Sequence, residues 1–97
     1  NYTASKWGVI GFTKHLAWDL GEHGIRVNAV CPGATRTSMT EEADRAETAE
    51  KIPVGRWARP ADQADAVTYL VSDDASYLTG TVIEVDGGKQ LSVRHEV

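Results

Sequence analysis

Two side chains near the start of the chain have the types and the spacing for proton transfer. Tyr2 and Lys6 stand four residues apart, which on a helix stacks them on one face, a turn from each other. A phenol with an ordinary pKa of about 10 is a poor acid or base at neutral pH. An ammonium held beside it stabilises the phenolate and brings that pKa toward the working range. Ser5 adds a hydroxyl nearby. Taken by itself, the pair reads more simply as an exposed aromatic and a solvated lysine at helical spacing, so its meaning depends on what surrounds it.

The other candidates are weaker. His15, His23 and His95 are scattered and there is one cysteine, so no spacing suited to a metal cluster is present and no metal site is expected. Cys31 lies in an apolar run and reads as a small buried hydrophobe. Glu84 and Asp86, two apart, are expected at a solvated or turn-closing edge rather than as a catalytic pair. The Asn1-Tyr2-Thr3 sequon is better explained by the tyrosine pair.

The elements that must position these groups follow from periodicity. Val9, Phe12, Leu16 and Leu20 recur at 3, 4 and 4, widened by Trp7, Ile10 and Trp18, which predicts a helix from Thr3 to about His23 closed by Gly24. Gly8 and Gly11 inside it are expected to permit close packing against a neighbour. Ile25 to Cys31, rich in β-branched and small residues and cut off by Pro32-Gly33, predicts a strand whose second half is buried on both faces. The polar stretch from Ala34 to Arg59 is expected as a loop. Its acidic patch, Glu41, Glu42, Asp44, Glu47 and Glu50, would form a short solvated helix. Pro60 opens a second helix to about Ser72, with Asp62 and Asp65 facing the positive end of its dipole and Ala64, Val67, Tyr69, Leu70 and Val71 as its packing surface. Thr81 to Asp86 is the second strand, stopped by Gly87-Gly88. The order helix, strand, loop, helix, strand is an α/β arrangement with a parallel crossover.

Composition narrows the class. With 97 residues, 41% hydrophobic and 25% charged, the chain has the make-up of a globular domain, expected as one partial domain over 1–97. A net charge of −4 leaves no basic excess for a nucleic-acid backbone or an anionic membrane surface, so neither is an expected partner. No apolar run approaches the roughly 20 residues that span a bilayer, and no signal-peptide pattern is visible, which makes the cytoplasm the expected location.

Four ordered segments then change the weight of the tyrosine pair. Tyr2-Thr3-Ala4-Ser5-Lys6, the run from Gly24 to Gly33 ending Ala29-Val30-Cys31-Pro32-Gly33, the segments Pro53-Val54-Gly55-Arg56 and Arg59-Pro60, and Tyr77-Leu78-Thr79-Gly80 through Val85-Asp86-Gly87-Gly88 resemble, in order, the late segments of the short-chain dehydrogenase/reductase family. That resemblance implies the C-terminal part of a Rossmann-like doubly wound sheet. It implies a hydride transfer between NAD or NADP and a carbonyl or secondary alcohol.

It also implies roles. Tyr2 would be the proton donor and acceptor, and Lys6 would lower its pKa and hydrogen-bond the nicotinamide ribose. Past Pro32-Gly33, backbone groups at Thr35 would hold the nicotinamide carboxamide, with the Thr37 hydroxyl as a further contact. Relatives more often carry Val or Ile at position 35; Thr is nearly isosteric and keeps a backbone contact available. Met39 is a candidate for lining the substrate.

These 97 residues hold no glycine-rich phosphate loop after a first strand, and no residue that would choose between NAD and NADP. The expectation is therefore the C-terminal portion of such an enzyme, joined into a dimer or tetramer as is usual in the family. The contrasting reading is a truncated, non-catalytic assembly module, since an open sheet edge invites pairing with another chain.

Overall fold

The computed structural model describes residues 2–37 and 48–88, residues 2 and 3 by their backbone only. Helix α1 spans Tyr2–Leu20, strand β1 Ala29–Pro32, helix α2 Pro60–Val71 and strand β2 Val82–Val85. The strands pair in parallel. Ala29 N–H donates to the Thr81 carbonyl at 2.9 Å and, four residues on in both strands, Gly33 N–H donates to Val85 at 3.0 Å. The expected α/β order is present. The acidic patch other than Glu50, Met39, and everything from Lys89 onward lie outside the described residues. The chain divides into two compact units, Asn1–Cys31 with Val67–Ile83, and Pro32–Ala66 with Glu84–Val97.

In the first unit, α1 ends where the sequence places its stop. Residues Gly21–His23 tighten into a 3-10 turn, and Gly24, at φ 73°, returns its N–H to the Gly21 carbonyl. The buried side of α1 differs from the expected stripe. Thr13 and Ala17 are buried and Ile10, Leu16 and Leu20 half-buried, whereas Val9, Phe12 (65% exposed) and Trp18 (87% exposed) face outward. Small side chains decide this. Ala17 lets the backbone at Gly80 come so close that a Cβ added there would lie 3.4 Å from the Ala17 Cβ, and the Lys14 ammonium donates to the Gly80 carbonyl at 3.0 Å. Gly8 and Gly11, expected to admit a neighbour, meet nothing within 4 Å of an added Cβ among the described residues.

The predicted strand from Ile25 shortens to Ala29–Pro32 because side chains take the earlier ladder positions. Val27 N–H donates to the Thr79 hydroxyl, and Asn28 bridges by accepting from Thr81 N–H and donating to the Leu78 carbonyl. Arg26 reaches past them. Its guanidinium donates to the carbonyls of Leu70 at 2.8 Å and Ser72 at 3.4 Å, capping the negative end of α2, and to the Leu78 carbonyl at 3.3 Å in the segment before β2.

Burial on both faces of β1 is not met. Ala29, Val30 and Cys31 are half-buried and Pro32 is exposed. On α2 only Leu70 of the expected packing surface is buried, while Ala64, Val67, Tyr69 and Val71 are exposed. Two strands and two helices carry more apolar surface than they cover among themselves, and a parallel sheet is normally covered on both faces. A cavity of about 700 Å³ bounded by Arg26, Val27, Val30, Val67, Leu70 and Val71 lies over this open side.

In the second unit, Ile52 is buried and packs on the turn after β2. A Cβ on Gly87, at φ 65°, would come within 2.7 Å of its Cγ2, and Val54 N–H donates to the Gly87 carbonyl. Glu50 is exposed in the turn after helical residues 48–49. Asp62 does more than complement a dipole. It accepts from Arg59 N–H at 2.7 Å, Arg56 Nη1 at 2.8 Å and Arg59 Nη2 at 2.8 Å, and so ties the approach segment to the first turn of α2. Hydrogen bonds from Arg59, then from Arg56, hold its carboxyl well below the usual carboxylate range, and Asp62 raises Arg59 in return.

Candidate functional site

The catalytic pair expected from the sequence lies on one helix. Tyr2 begins α1 and Lys6 follows a turn later, so the backbone places both positions on one face. The Tyr2 phenol is outside the described side chains; Lys6 is half-buried and engaged by a neighbour. Both residues belong to the first unit, and the four expected cofactor positions on the loop, Pro32, Gly33, Thr35 and Thr37, belong to the second.

That loop is held firmly on its own account. Gly33 sits where β1 and the end of β2 nearly touch, and a Cβ there would lie 2.7 Å from the Asp86 Cβ and 2.8 Å from its Cα. Only glycine fits so close an approach. Asp86, which accepts from Gly88 N–H at 2.9 Å, closes the turn as expected. Further on, Thr35 forms a parallel bridge with Ala58. The bonds of that bridge come from its neighbours, with Ala58 N–H donating to Ala34 C=O at 2.9 Å and Arg36 N–H donating to Ala58 C=O at 2.8 Å.

In a parallel bridge the central residue's own N–H and C=O point to the opposite side. Thr35 thus presents one backbone donor and one backbone acceptor away from Ala58, and among the described residues no backbone group takes up either. Its hydroxyl is turned inward and donates to the Gly33 carbonyl at 2.9 Å. Thr37 is exposed and engaged by a neighbour.

Sequence reasoning missed Gln63. Its amide nitrogen donates to the Val85 carbonyl at 2.9 Å and approaches the Thr35 hydroxyl at 3.4 Å, so the loop is tied to α2 as well as to β2. A signal existed, because positions 63, 66 and 70 recur at 3 and 4 from the helix start and mark the face of α2 turned inward. Among the described residues no three His, Cys, Asp or Glu side chains gather as metal ligands, and no helix is long and apolar enough to cross a membrane. His15 pairs with Asp19 and His23 with Glu22 on the surface.

A parallel α/β crossover with a strand running into a Pro-Gly loop defines a Rossmann-like class of protein, and comparison with known proteins places it more closely. Residues 1–90 match the family model described as enoyl-(acyl carrier protein) reductase. The chain is 48% identical over 91 residues to the 3-oxoacyl-[acyl-carrier-protein] reductase FabG of Rickettsia felis, covering 91% of this chain and 38% of that protein. It is 50% identical over 91 residues to the protein of the same name from Thermotoga maritima, covering 91% and 37%. It is 48% identical to the human (3R)-3-hydroxyacyl-CoA dehydrogenase, again over 91 residues, covering 91% and 35%. A crystal structure of a short chain dehydrogenase family protein from Francisella tularensis superimposes with a TM-score of 0.83 at 33% identity, over 93% of this chain and 43% of that one. The chain belongs to the short-chain dehydrogenase/reductase family and is related to its oxidoreductases. It spans well under half the length of each of these relatives.

Proposed function

We propose that this chain carries the proton-transfer pair and the nicotinamide-holding loop of an NAD(P)-dependent oxidoreductase, as one partial domain of that enzyme. The observation that carries the reading is the pair of backbone groups on Thr35. A primary carboxamide offers one acceptor oxygen and one donor nitrogen, and Thr35 N–H and C=O are their complement, on a segment fixed by the Ala58 bridge and by the tight Gly33 contact. The residues present therefore fit a nicotinamide group, with Pro32 and Gly33 shaping its seat and Thr37 adding a hydroxyl.

When bound, the dinucleotide supplies or accepts the hydride. The chain's own residues handle the proton. In the reductive direction the Tyr2 hydroxyl gives its proton to the substrate oxygen, and the Lys6 ammonium stabilises the phenolate that remains. In the oxidative direction the same phenolate takes the proton from the alcohol. Lys6 has a second task as a hydrogen-bond donor to the ribose.

The names of the relatives support a 3-oxoacyl or 3-hydroxyacyl thioester as the substrate class. The aromatic surface of α1, Trp7, Phe12 and Trp18, supports self-association of the enzyme. In the full-length protein, oxidation of NADH or NADPH followed with a 3-oxoacyl thioester tests the reading. Tyr2→Phe is expected to lower kcat by about 10²- to 10⁴-fold with dinucleotide affinity kept, and Lys6→Ala to lower both. Full turnover by Tyr2→Phe would exclude Tyr2 as the proton donor.

A further inference from the structure

We infer that Gln63 is a positioning residue for the nicotinamide, acting through the Gly33–Thr35 backbone; this rests on the function proposed above and deepens it. The amide nitrogen of Gln63 stands between two fixed points, the Val85 carbonyl at 2.9 Å and the Thr35 hydroxyl at 3.4 Å. The Thr35 hydroxyl in turn donates to the Gly33 carbonyl at 2.9 Å, and Gly33 N–H donates to the same Val85 carbonyl at 3.0 Å. These bonds close a ring through Gln63, Thr35, Gly33 and Val85. The ring ties the Thr35 side chain to Gly33, Val85 and Gln63, while the Ala58 bridge holds its backbone through Ala34 and Arg36.

The other half of the Gln63 amide shows that packing alone does not account for the residue. Its Oε1 is buried with no hydrogen-bond partner among the described residues. A buried acceptor left unsatisfied is a cost that an apolar side chain of the same size would avoid. The donor is what the position gains. In this reading Gln63 makes no contact with the dinucleotide, and the ring acts through the Thr35 backbone. Its effect is to hold the Thr35 N–H and C=O in the orientation a carboxamide requires, and so to reduce what binding must spend on ordering the loop.

The test compares two ligands on the full-length protein. NADH or NADPH carries the nicotinamide, whereas ADP-ribose and its 2′-phosphate keep both riboses and the pyrophosphate and lack only the nicotinamide ring. Gln63→Leu is expected to weaken the dinucleotide about five- to tenfold, the effect of one lost buried hydrogen bond, and to leave the ADP-ribose ligand within about twofold. In turnover the loss falls on KM for the dinucleotide rather than on kcat. Thr35→Val cuts the same ring from its other side without changing the backbone, and in that background Gln63→Leu has less left to remove. Should Gln63→Leu not fold, Gln63→Met and Thr35→Val carry the comparison.

Equal weakening of both ligands would reveal a merely structural role and overturn the inference, as would an unchanged dinucleotide affinity or effects that simply add. A wild-type protein that binds neither ligand would overturn the proposed function itself, before any variant is made.

Discussion

Replacing Gly33 by alanine tests how tightly the end of β1 is built against the turn after β2. The added methyl would lie 2.7 Å from the Asp86 Cβ and 2.8 Å from its Cα, against an ordinary carbon–carbon contact of about 3.5 to 4.0 Å. The obstacle is backbone and the first side-chain carbon, so no rotamer change relieves it and the two segments must separate by close to an ångström. Overpacking of this kind costs about 1 to 3 kcal/mol. The separation also breaks or stretches the Gly33 N–H bond to Val85, now 3.0 Å, worth about 1 kcal/mol more. The expected loss is therefore about 2 to 4 kcal/mol, read from urea unfolding of the full-length protein with an unchanged m-value. Gly21→Ala serves as the comparison, because a Cβ there meets nothing within 4 Å among the described residues, and it should fall within about 1 kcal/mol of wild type. A Gly33→Ala protein within about 0.5 kcal/mol of wild type would refute the close approach and, with it, the argument that glycine is required there.

Arg26→Met removes a cation from the Leu70 and Ser72 carbonyls at the end of α2 and from the Leu78 carbonyl further on and is expected to cost about 2 to 4 kcal/mol, since bonds to a charged group are the stronger kind and the helix end loses its cap. Thermal unfolding measures it. Arg26→Lys should recover at most half, a single ammonium being unable to span the fork, and a loss below about 1 kcal/mol for Arg26→Met would mean water replaces the cap. Asp62 has a folded-state pKa depressed by Arg59 and Arg56, so its contribution is fully present above the unfolded carboxylate value of about 4 and disappears as the pH falls through the lower folded value. The stability gap between wild type and Asp62→Asn is accordingly expected to hold from pH 7 to about pH 4 and to narrow in stronger acid. A gap that widens on acidification would contradict the sign.

Local rules made much of this fold legible. Pro60 starts α2 because its missing N–H has no partner to lose at that position, and Gly24 stops α1 because it accepts φ 73° without strain. The Gly87 and Gly88 turn follows β2 for the same reason. The one-turn spacing of Tyr2 and Lys6 and the Pro-Gly loop were readable as motifs, and with two further ordered segments they carried the resemblance to the family that the comparisons bear out. The burial of the elements was less legible. The apolar count along α1 favoured Val9 and Phe12, yet the helix turns Thr13 and Ala17 inward, because a turn at Gly80, distant in sequence, can approach small side chains and not large ones.

The sequence by itself thus determined where the helices start and stop and the one-turn spacing of Tyr2 and Lys6, which depend on neighbours a few positions away, and through the order of its elements the parallel pairing of the strands. Only the tertiary structure decided which faces are covered, that Arg26 caps a helix 44 residues later, and that Gln63 reaches Thr35 across 28 residues. The reason is physical. A turn or a cap is set by the backbone freedom of the residues in it, whereas a polar side chain far from its partner acquires a role only when packing brings the two within hydrogen-bond reach and shuts out water.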